Sequence, residues 1–273
     1  STLNGESSGM NQSNLVQSDL QTVAPYSKYA MNFDGANDSI EIDSIGSTIS
    51  TMTQISISAW IKTSSSSFGY ILFAGRGGSG RTGYIGLGIR NSPTGAVYAV
   101  VGGQPTVSGF SELTTTATVN DDNWHHLVMT FNNSNGVIQV YIDGFLDPTS
   151  SSTSGLIPTN IIYADIGQRA YNNDFNFDGS ISNVSVWNYE LNASQVREIY
   201  NEGLPSDLNT FSGTAPVAWW QLGENSSFNG NDWICADEKG TNNGESNGMG
   251  VGALVNGVGT TANGVSTGMA VGR

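Results

Sequence analysis

One cysteine, Cys235, stands in a chain of 273 residues, so no internal disulfide can form and a cystine-stapled scaffold is excluded. A lone thiol of this kind is expected to be a buried, inert packing group. Charge is sparse as well: 12% of residues are charged, about half the usual share of roughly 25%, and 9 cations against 23 anions leave a net −14. The surface must be dressed in Ser, Thr, Asn, Gln and Gly, and a chain that repels polyanions is not expected to bind nucleic acid. The two histidines, His125 and His126, are neighbours; on a strand they point to opposite faces and cannot chelate one ion. Cys235 lies in a different segment from both, so no Cys-His pair has support, and no Ser-His-Asp arrangement is visible. No apolar run approaches the roughly 18 residues of a membrane-spanning helix, and no basic-then-apolar leader opens the sequence, so membrane insertion is not expected.

What the chain has in quantity is strand. Trp124 to Phe131 is apolar on both faces and suits the middle of a sandwich sheet, while Ile138, Val140 and Ile142 share one face of the next strand. Asn133-Ser134-Asn135-Gly136 joins them, and Asp143-Gly144 supplies the positive φ of a second hairpin, so Asp121 to Asp147 reads as a meander in the core. Further strands are predicted at Ser39–Ile42, Gln54–Lys62, Gly69–Ala74, Tyr84–Arg90, Val97–Val101, Ile161–Gly167 and Gly179–Trp187. One helix signal follows: Asn192 as cap, Gln195 three residues on, then Val196, Ile199 and Tyr200 before Gly203. Short strands with regular turns and one helix predict an all-β, two-sheet antiparallel sandwich or barrel.

The segments ISISAWIKT at 55–63, NWHHLVMTF at 123–131, VIQVYIDG at 137–144 and FDGSISNVSVWNYELNASQVREIYNEG at 177–203 resemble the laminin-G-like and pentraxin-like modules of the concanavalin A-like superfamily. The resemblance covers about residues 29 to 203. It implies a jelly-roll sandwich, a mostly non-catalytic role in binding glycans or proteins, and histidines that pack beside the tryptophan. Pentraxin-like modules place acidic calcium ligands after the strand equivalent to Ile161–Gln168, where this chain has Arg169-Ala170-Tyr171, so that calcium site is not expected here. No cofactor is expected. A structural calcium at Asp34 and Asp38 is the one metal candidate, against the simpler reading of an Asp-Gly and Asn-Asp turn. Glu41-Ile42-Asp43-Ser44-Ile45-Gly46 resembles the catalytic strand of related jelly-roll glycoside hydrolases, but Gly46 stands where their second carboxylate would be, so no catalytic residue is assigned. Ligand-binding candidates are Arg76 and Arg81 in one loop and Arg169, Tyr171 and Phe175 in another, since exposed arginines and aromatics anchor recognition.

The two ends carry a repeat. Residues 4–16, NGESSGMNQSNLV, and 243–255, NGESNGMGVGALV, are identical at eight of thirteen positions without a gap, and NGVSTGM at 263–269 is a shorter third copy. Modules that this chain resembles open with a strand like VAWWQL, which here follows the module at Val217–Leu222 and completes its own sandwich or a neighbour's. The expected division is an extended arm at 1–28, the jelly roll at 29–204, a linker with that strand at 205–239, and a glycine-rich assembly tail at 240–273 that a partner subunit would have to order. Assembly contacts are assigned to Asn4, Gly5, Met10, Leu15 and Val16 in the arm, and to Trp219, Trp220, Gly244, Met249, Leu254 and Val255 beyond the module. The style of the sequence is similar to laminin-G-like proteins of marine bacteriophages, which implies a non-catalytic decoration, fibre or filament subunit on a virion or at the cell exterior. Its expected partners are copies of itself or other particle subunits; the alternatives are a carbohydrate-binding adhesin module on surface glycans and a glycoside hydrolase.

Overall fold

The computed structural model describes residues 26–76, 83–104 and 107–258, with the side chains at 104, 107, 108 and 171 outside that description. In chain order the elements are β1 (Tyr29–Asp34), β2 (Ser39–Glu41), a short helix α1 (Gly46–Ile49), β3 (Gln54–Lys62), β4 (Gly69–Gly75), β5 (Tyr84–Asn91), β6 (Thr94–Gln104) and β7 (Val107–Thr118). The meander follows as β8 (Trp124–Asn132), β9 (Val137–Ile142) and β10 (Phe145–Leu146), then β11 (Tyr163–Ile166), β12 (Asp178–Trp187) and helix α2 (Ala193–Tyr200). The chain closes with β13 (Ala218–Trp220), β14 (Ser226–Phe228), β15 (Trp233–Cys235), β16 (Gly244–Asn247) and β17 (Leu254–Asn256). They form two antiparallel sheets: sheet I with eight strands in the order β10-β9-β8-β3-β12-β1-β17 and β13 beside β12, and sheet II with nine in the order β14-β15-β16-β2-β11-β4-β5-β6-β7. This is the two-sheet jelly roll that the sequence predicts.

β8 turns Leu127, Met129 and Phe131 into the core between the sheets and Val128 and His126 towards the cluster under α2, which is why both of its faces are buried. The core between the sheets takes Phe33, Ile57, Ile61, Met129, Phe131 and Trp220 from sheet I and Ile40, Leu72, Leu87, Val101 and Ile166 from sheet II. Each such burial is worth about 1.5–3 kcal/mol, against about 0–1 for an exposed ion pair, so the core and not the sparse charge holds the fold. Cys235 belongs to this core, and burial pushes its thiol up to about 11.

β7, β14, β15, β16 and β17 escaped prediction, β7 being the longest of them. β7 runs for twelve residues through SELTTTAT, a Ser- and Thr-rich stretch whose β-branched threonines suit a strand although few of its residues are apolar.

The region after 205 joins the same sandwich, one of the two outcomes open for Val217–Leu222. β13 pairs β12 within the same chain at Val184↔Trp220 and Val186↔Ala218, end to end with β1, which pairs β12 at Met31↔Ile181 and Asp34↔Asp178. Glu224, just past β13, accepts the Tyr29 N–H at 3.0 Å and the Ser27 hydroxyl at 3.0 Å, tying this junction shut. Residues 240–258 need no partner subunit to order them: β16 extends sheet II against β2, and β17 extends sheet I against β1.

Helix α2 forms where expected. Asn192 Oδ1 accepts the N–H groups of Ser194 and Gln195, both at 3.0 Å, and Gln195 Oε1 accepts the Asn192 N–H at 3.0 Å. The helix ends at Asn201 in the left-handed region, φ 46°, two residues before the glycine expected to stop it. It buries Val196 and Ile199 against Val128, Tyr141, Trp187 and Trp219. Part of the outer face of sheet I, over β8, β9, β12 and β13, is therefore covered by α2.

Candidate functional site

Pairing register lines up one row of residues across sheet II: Glu245 on β16 faces Glu41 on β2, Glu41 faces Asp165 on β11, and Asp165 faces Phe73 on β4. The row continues through Gly86 and Val100 to Glu112. Alternation places these side chains opposite the core-facing Ile40, Ala164, Ala74 and Ile85. The outer face thus has an acidic half and an aromatic half.

The aromatic half is a shelf of Tyr70, Phe73 and Tyr98 with Phe68, Tyr84 and Phe110 packed on it. It can exist because β5 carries glycine at alternate positions. A Cβ at Gly86 would strike the Tyr70 ring, so the bare strand lets the rings lie against the sheet. Tyr98 donates its hydroxyl to Glu112 at 3.2 Å, and the Arg90 guanidinium sits 4.0 Å from the Tyr98 ring centroid. The Arg90 Nε is buried without a hydrogen-bond partner among the described residues.

The loop at 168–176 borders this shelf. Arg169 pairs with Asp174 through two side-chain bonds, of 2.7 and 2.5 Å, and its backbone N–H donates to the Asp174 carbonyl at 2.8 Å. The same guanidinium lies 4.4 Å from the Phe175 ring centroid. Phe175 in turn meets Phe68 edge-on at 4.9 Å and Tyr70 at 6.3 Å, while remaining 40% exposed. Its φ is 52°, a region that bulky residues avoid. Such strain persists only where the surroundings over-determine it, and it clusters at functional sites.

The acidic half is electrostatically tense. Asp165 is 5% exposed, and its carboxyl is pushed up to about 7 by burial, with the charges of Asp43 and Glu41 adding and a 2.5 Å hydrogen bond from Gln168 Nε2 opposing. Burial also raises Glu41, helped by Asp43 and Glu245, and raises Asp43, whose Oδ1 accepts the Ala164 N–H at 2.6 Å. Among the described residues no group of three or more His, Cys, Asp or Glu converges to hold a metal ion.

The residues singled out from sequence fall as follows. Arg169 and Phe175 are brought together, and Tyr171 has its backbone in the short turn Ala170–Asn172 between them. Arg76 stands at the edge of β4, donating its N–H to the Gly83 carbonyl at 3.1 Å, and Arg81 lies outside the described residues. Asp34 and Asp38 close their turn: Asp34 Oδ1 accepts the Ala36 N–H at 2.8 Å and Asp38 Oδ2 the Asp34 N–H at 3.1 Å. Gly46 opens α1 rather than extending β2, so the partners of Glu41 are Asp165 and Glu245 from neighbouring strands instead of a residue farther along its own. Trp219 and Trp220 are both fully buried in their own chain, one under α2 and one between the sheets. Gly244, Met249, Leu254 and Val255 lie in or beside β16 and β17 of the same sandwich. Asn4, Gly5, Met10, Leu15 and Val16 lie outside the described residues. Sequence reasoning missed Phe68, Tyr70, Tyr98, Asp165 and Glu245; the alternating glycines of β5 were the signal for the shelf.

His126 is enclosed between Trp60 and Tyr200, with ring centroids at 5.0 and 6.0 Å, and its Nε2 meets the Ser58 hydroxyl at 2.8 Å. Burial lowers its pKa to about 3, so it is a packing group. His125, beside it, lies between Asp143 at 2.7 Å and Asp121 at 3.0 Å.

Two face-to-face sheets, one partly roofed by a helix and one presenting an open aromatic and acidic surface, define a lectin-type jelly-roll module. The chain belongs to the laminin G-like family: residues 34–197, more than half of it, match the Laminin_G_3 model, described as the concanavalin A-like lectin/glucanases superfamily. Over 111 residues, 38% of this chain, it is 34% identical to the sushi, von Willebrand factor type A, EGF and pentraxin domain-containing protein 1 of Rattus norvegicus. Over 185 residues, 66% of the chain, it is 24% identical to the adhesion G-protein coupled receptor V1 of Danio rerio. In each case the match takes in 3% of the relative's length. Among solved structures, a Bacteroides ovatus protein proposed to bind carbohydrate superposes with a TM-score of 0.57 at 18% identity, over 84% of this chain and 60% of that one. The CBM40 module of Ruminococcus gnavus IT-sialidase superposes with a TM-score of 0.51 at 16% identity, over 63% of this chain and 96% of that one. At these identities the likeness is one of fold.

Proposed function

We propose that the protein is a non-catalytic recognition module of an extracellular or particle surface, binding a neutral glycan on the outer face of sheet II. The observation that carries this reading is Phe175, an exposed aromatic ring held at φ 52° beside the shelf of Phe68, Tyr70 and Tyr98. Aromatic faces with a few convergent polar groups are the usual make-up of a small-ligand site, and Arg90, Glu112 and the acidic row supply donors and acceptors for hydroxyls. A net charge of −14 and carboxylates facing across three adjacent strands disfavour anionic sugars. Fold neighbours include a protein proposed to bind carbohydrate and a sialidase binding module, which supports a glycan as ligand, while the preference for a neutral one rests on the charge of this chain. Catalysis is not proposed: Asp165, the acid with the most suitable proton affinity, is covered and its oxygen is held by Gln168. A second reading, a structural subunit of a virion or filament, is favoured by the repeat of residues 4–16 at 243–255.

The test is binding of the full chain to an array of neutral and sialylated oligosaccharides, followed by titration of the best ligand against Phe175→Ala. We expect neutral ligands to be preferred and the variant to lose at least about tenfold in affinity, or 1.4 kcal/mol. A correctly folded Phe175→Ala chain with unchanged affinity would refute the assignment of the site.

A further inference from the structure

The repeat acquires a structural meaning once its C-terminal copy is placed. Residues 243–255 occupy a slot made by the free edges of β2 and β1: Glu245 pairs Glu41 and Asn247 pairs Ser39, then Leu254 pairs Met31 and Val255 pairs Ala30. The positions shared with residues 4–16 are those the slot reads. A Cβ at Gly244 would lie 2.5 Å from Ile40 Cγ2, and one at Gly248, φ 81°, would lie 2.5 Å from Asn37 Nδ2. The arm has Gly5 and Gly9 at these places. Ser246 Oγ accepts the Trp233 N–H at 2.8 Å, Asn243 Oδ1 accepts the Asp237 N–H at 3.0 Å, and Met249 is 2% exposed. Their counterparts in the arm are Ser7, Asn4 and Met10, and Leu15 and Val16 stand for Leu254 and Val255. The positions that differ, Asn247 and Gly250 through Ala253, are exposed except for the half-buried Ala253. Drift at four exposed positions and the half-buried Ala253, with the buried Gly244, Ser246 and Met249 all retained, is the pattern of two segments selected to fit one place.

We infer that residues 4–16 are a second occupant for the slot that 243–255 fill, so that the two ends of one chain compete for the same pair of strand edges. The connection permits it. With Val16 opposite Ala30, and Tyr26 and Ser27 already held against Trp219 and Glu224, residues 18–25 would form an eight-residue return into β1, and β17 already runs antiparallel to β1. A loop of that length closes readily, and the tether gives the arm an effective concentration in the millimolar range against its own slot. The retained Asn4, Gly5, Glu6 and Ser7 match the residues that β15 contacts, so an exchange needs to displace only the segment from 243 onward.

The experiment uses paired cysteines in the full chain, in which Cys235 is buried and does not compete for oxidation. Glu41→Cys with Glu245→Cys reports the C-terminal occupant, and Glu41→Cys with Glu6→Cys reports the arm. In the otherwise unchanged chain the first pair is expected to be the major disulfide. Adding Gly248→Val, which sets a side chain against Asn37, should make the arm pair the major product, formed within one chain and running as a monomer on a non-reducing gel. Gly9→Val placed on top should remove that gain. Removing residues 240–273 is the second arm of the test: the chain should stay folded by circular dichroism and form the disulfide of the Glu6→Cys, Glu41→Cys pair nearly quantitatively. Absence of the arm crosslink from folded Gly248→Val and truncated chains would overturn the inference, and so would an arm crosslink found only in covalent dimers.

Discussion

Replacing Asp165 by Asn tests the electrostatics of sheet II most directly. The carboxyl is buried on a row with Glu41, near Asp43, and titrates at about 7 in the folded chain against an ordinary 3.8. For an acid with a raised folded pKa the folded state holds the proton longer, so stability is full below about 3.8 and is lost as pH rises towards about 7. At about 1.36 kcal/mol for each pKa unit, the ceiling on that loss is about 4 kcal/mol, and relaxation of the neighbouring carboxylates brings the expected value nearer 2. Asparagine keeps an acceptor for the Gln168 amide and cannot ionise. Urea unfolding of both chains at pH 4, 5, 6, 7 and 8 should therefore show nearly equal stability at pH 4 and a variant that is about 2 kcal/mol more stable at pH 8. Taking the difference between the chains cancels carboxylates remote from the row. A difference that does not change with pH would refute the proposed cost of ionising this group.

Two further outcomes follow from local geometry. Asn192→Ala removes the acceptor for two N–H groups at the start of α2 and should lower stability by about 1 kcal/mol in urea unfolding, while Asn192→Ser should recover most of it. Asp143→Asn keeps a residue tolerant of φ 51° but removes the charge that, ahead of Asp121, raises the pKa of His125. Stability from that histidine is present below its ordinary 6.5 and lost as pH rises through its folded value, so the variant should shift the histidine NMR titration downward and reduce that pH dependence. His126, lowered to about 3, leaves His125 as the histidine whose titration is followed, and an unshifted curve would rule out Asp143 as the main cause of its raised pKa.

The strands that announced themselves in sequence are those whose partners stamp a period on them. β3 and β9 alternate because one face is core, β8 carries apolar residues on both faces because the core lies on one and the cluster under α2 on the other, and the Asn192–Gln195 box marks α2 because capping is a contact over three residues. β7 hid because its buried face sets Leu113 between Ser111 and Thr115, which breaks the apolar alternation a core strand shows, and β16 and β17 hid because glycine-rich segments gain order only from the edges they cover.

By itself the sequence determined the all-β class, the jelly-roll resemblance, the lack of a second cysteine for Cys235 to pair with, and the existence of a repeat. These follow from composition and from short-range periodicity, which a chain carries wherever it folds. Only the tertiary structure decided which strands are neighbours. That step set Glu245, Glu41 and Asp165 in one row, gathered the rings of β4, β5 and β6 with Phe175 into a shelf, and turned the segment expected to join another subunit into the closing strands of its own sandwich. The physical reason is that β pairing joins residues up to about two hundred positions apart in this chain through backbone hydrogen bonds that every residue type can make, so the side chains alone do not encode the choice.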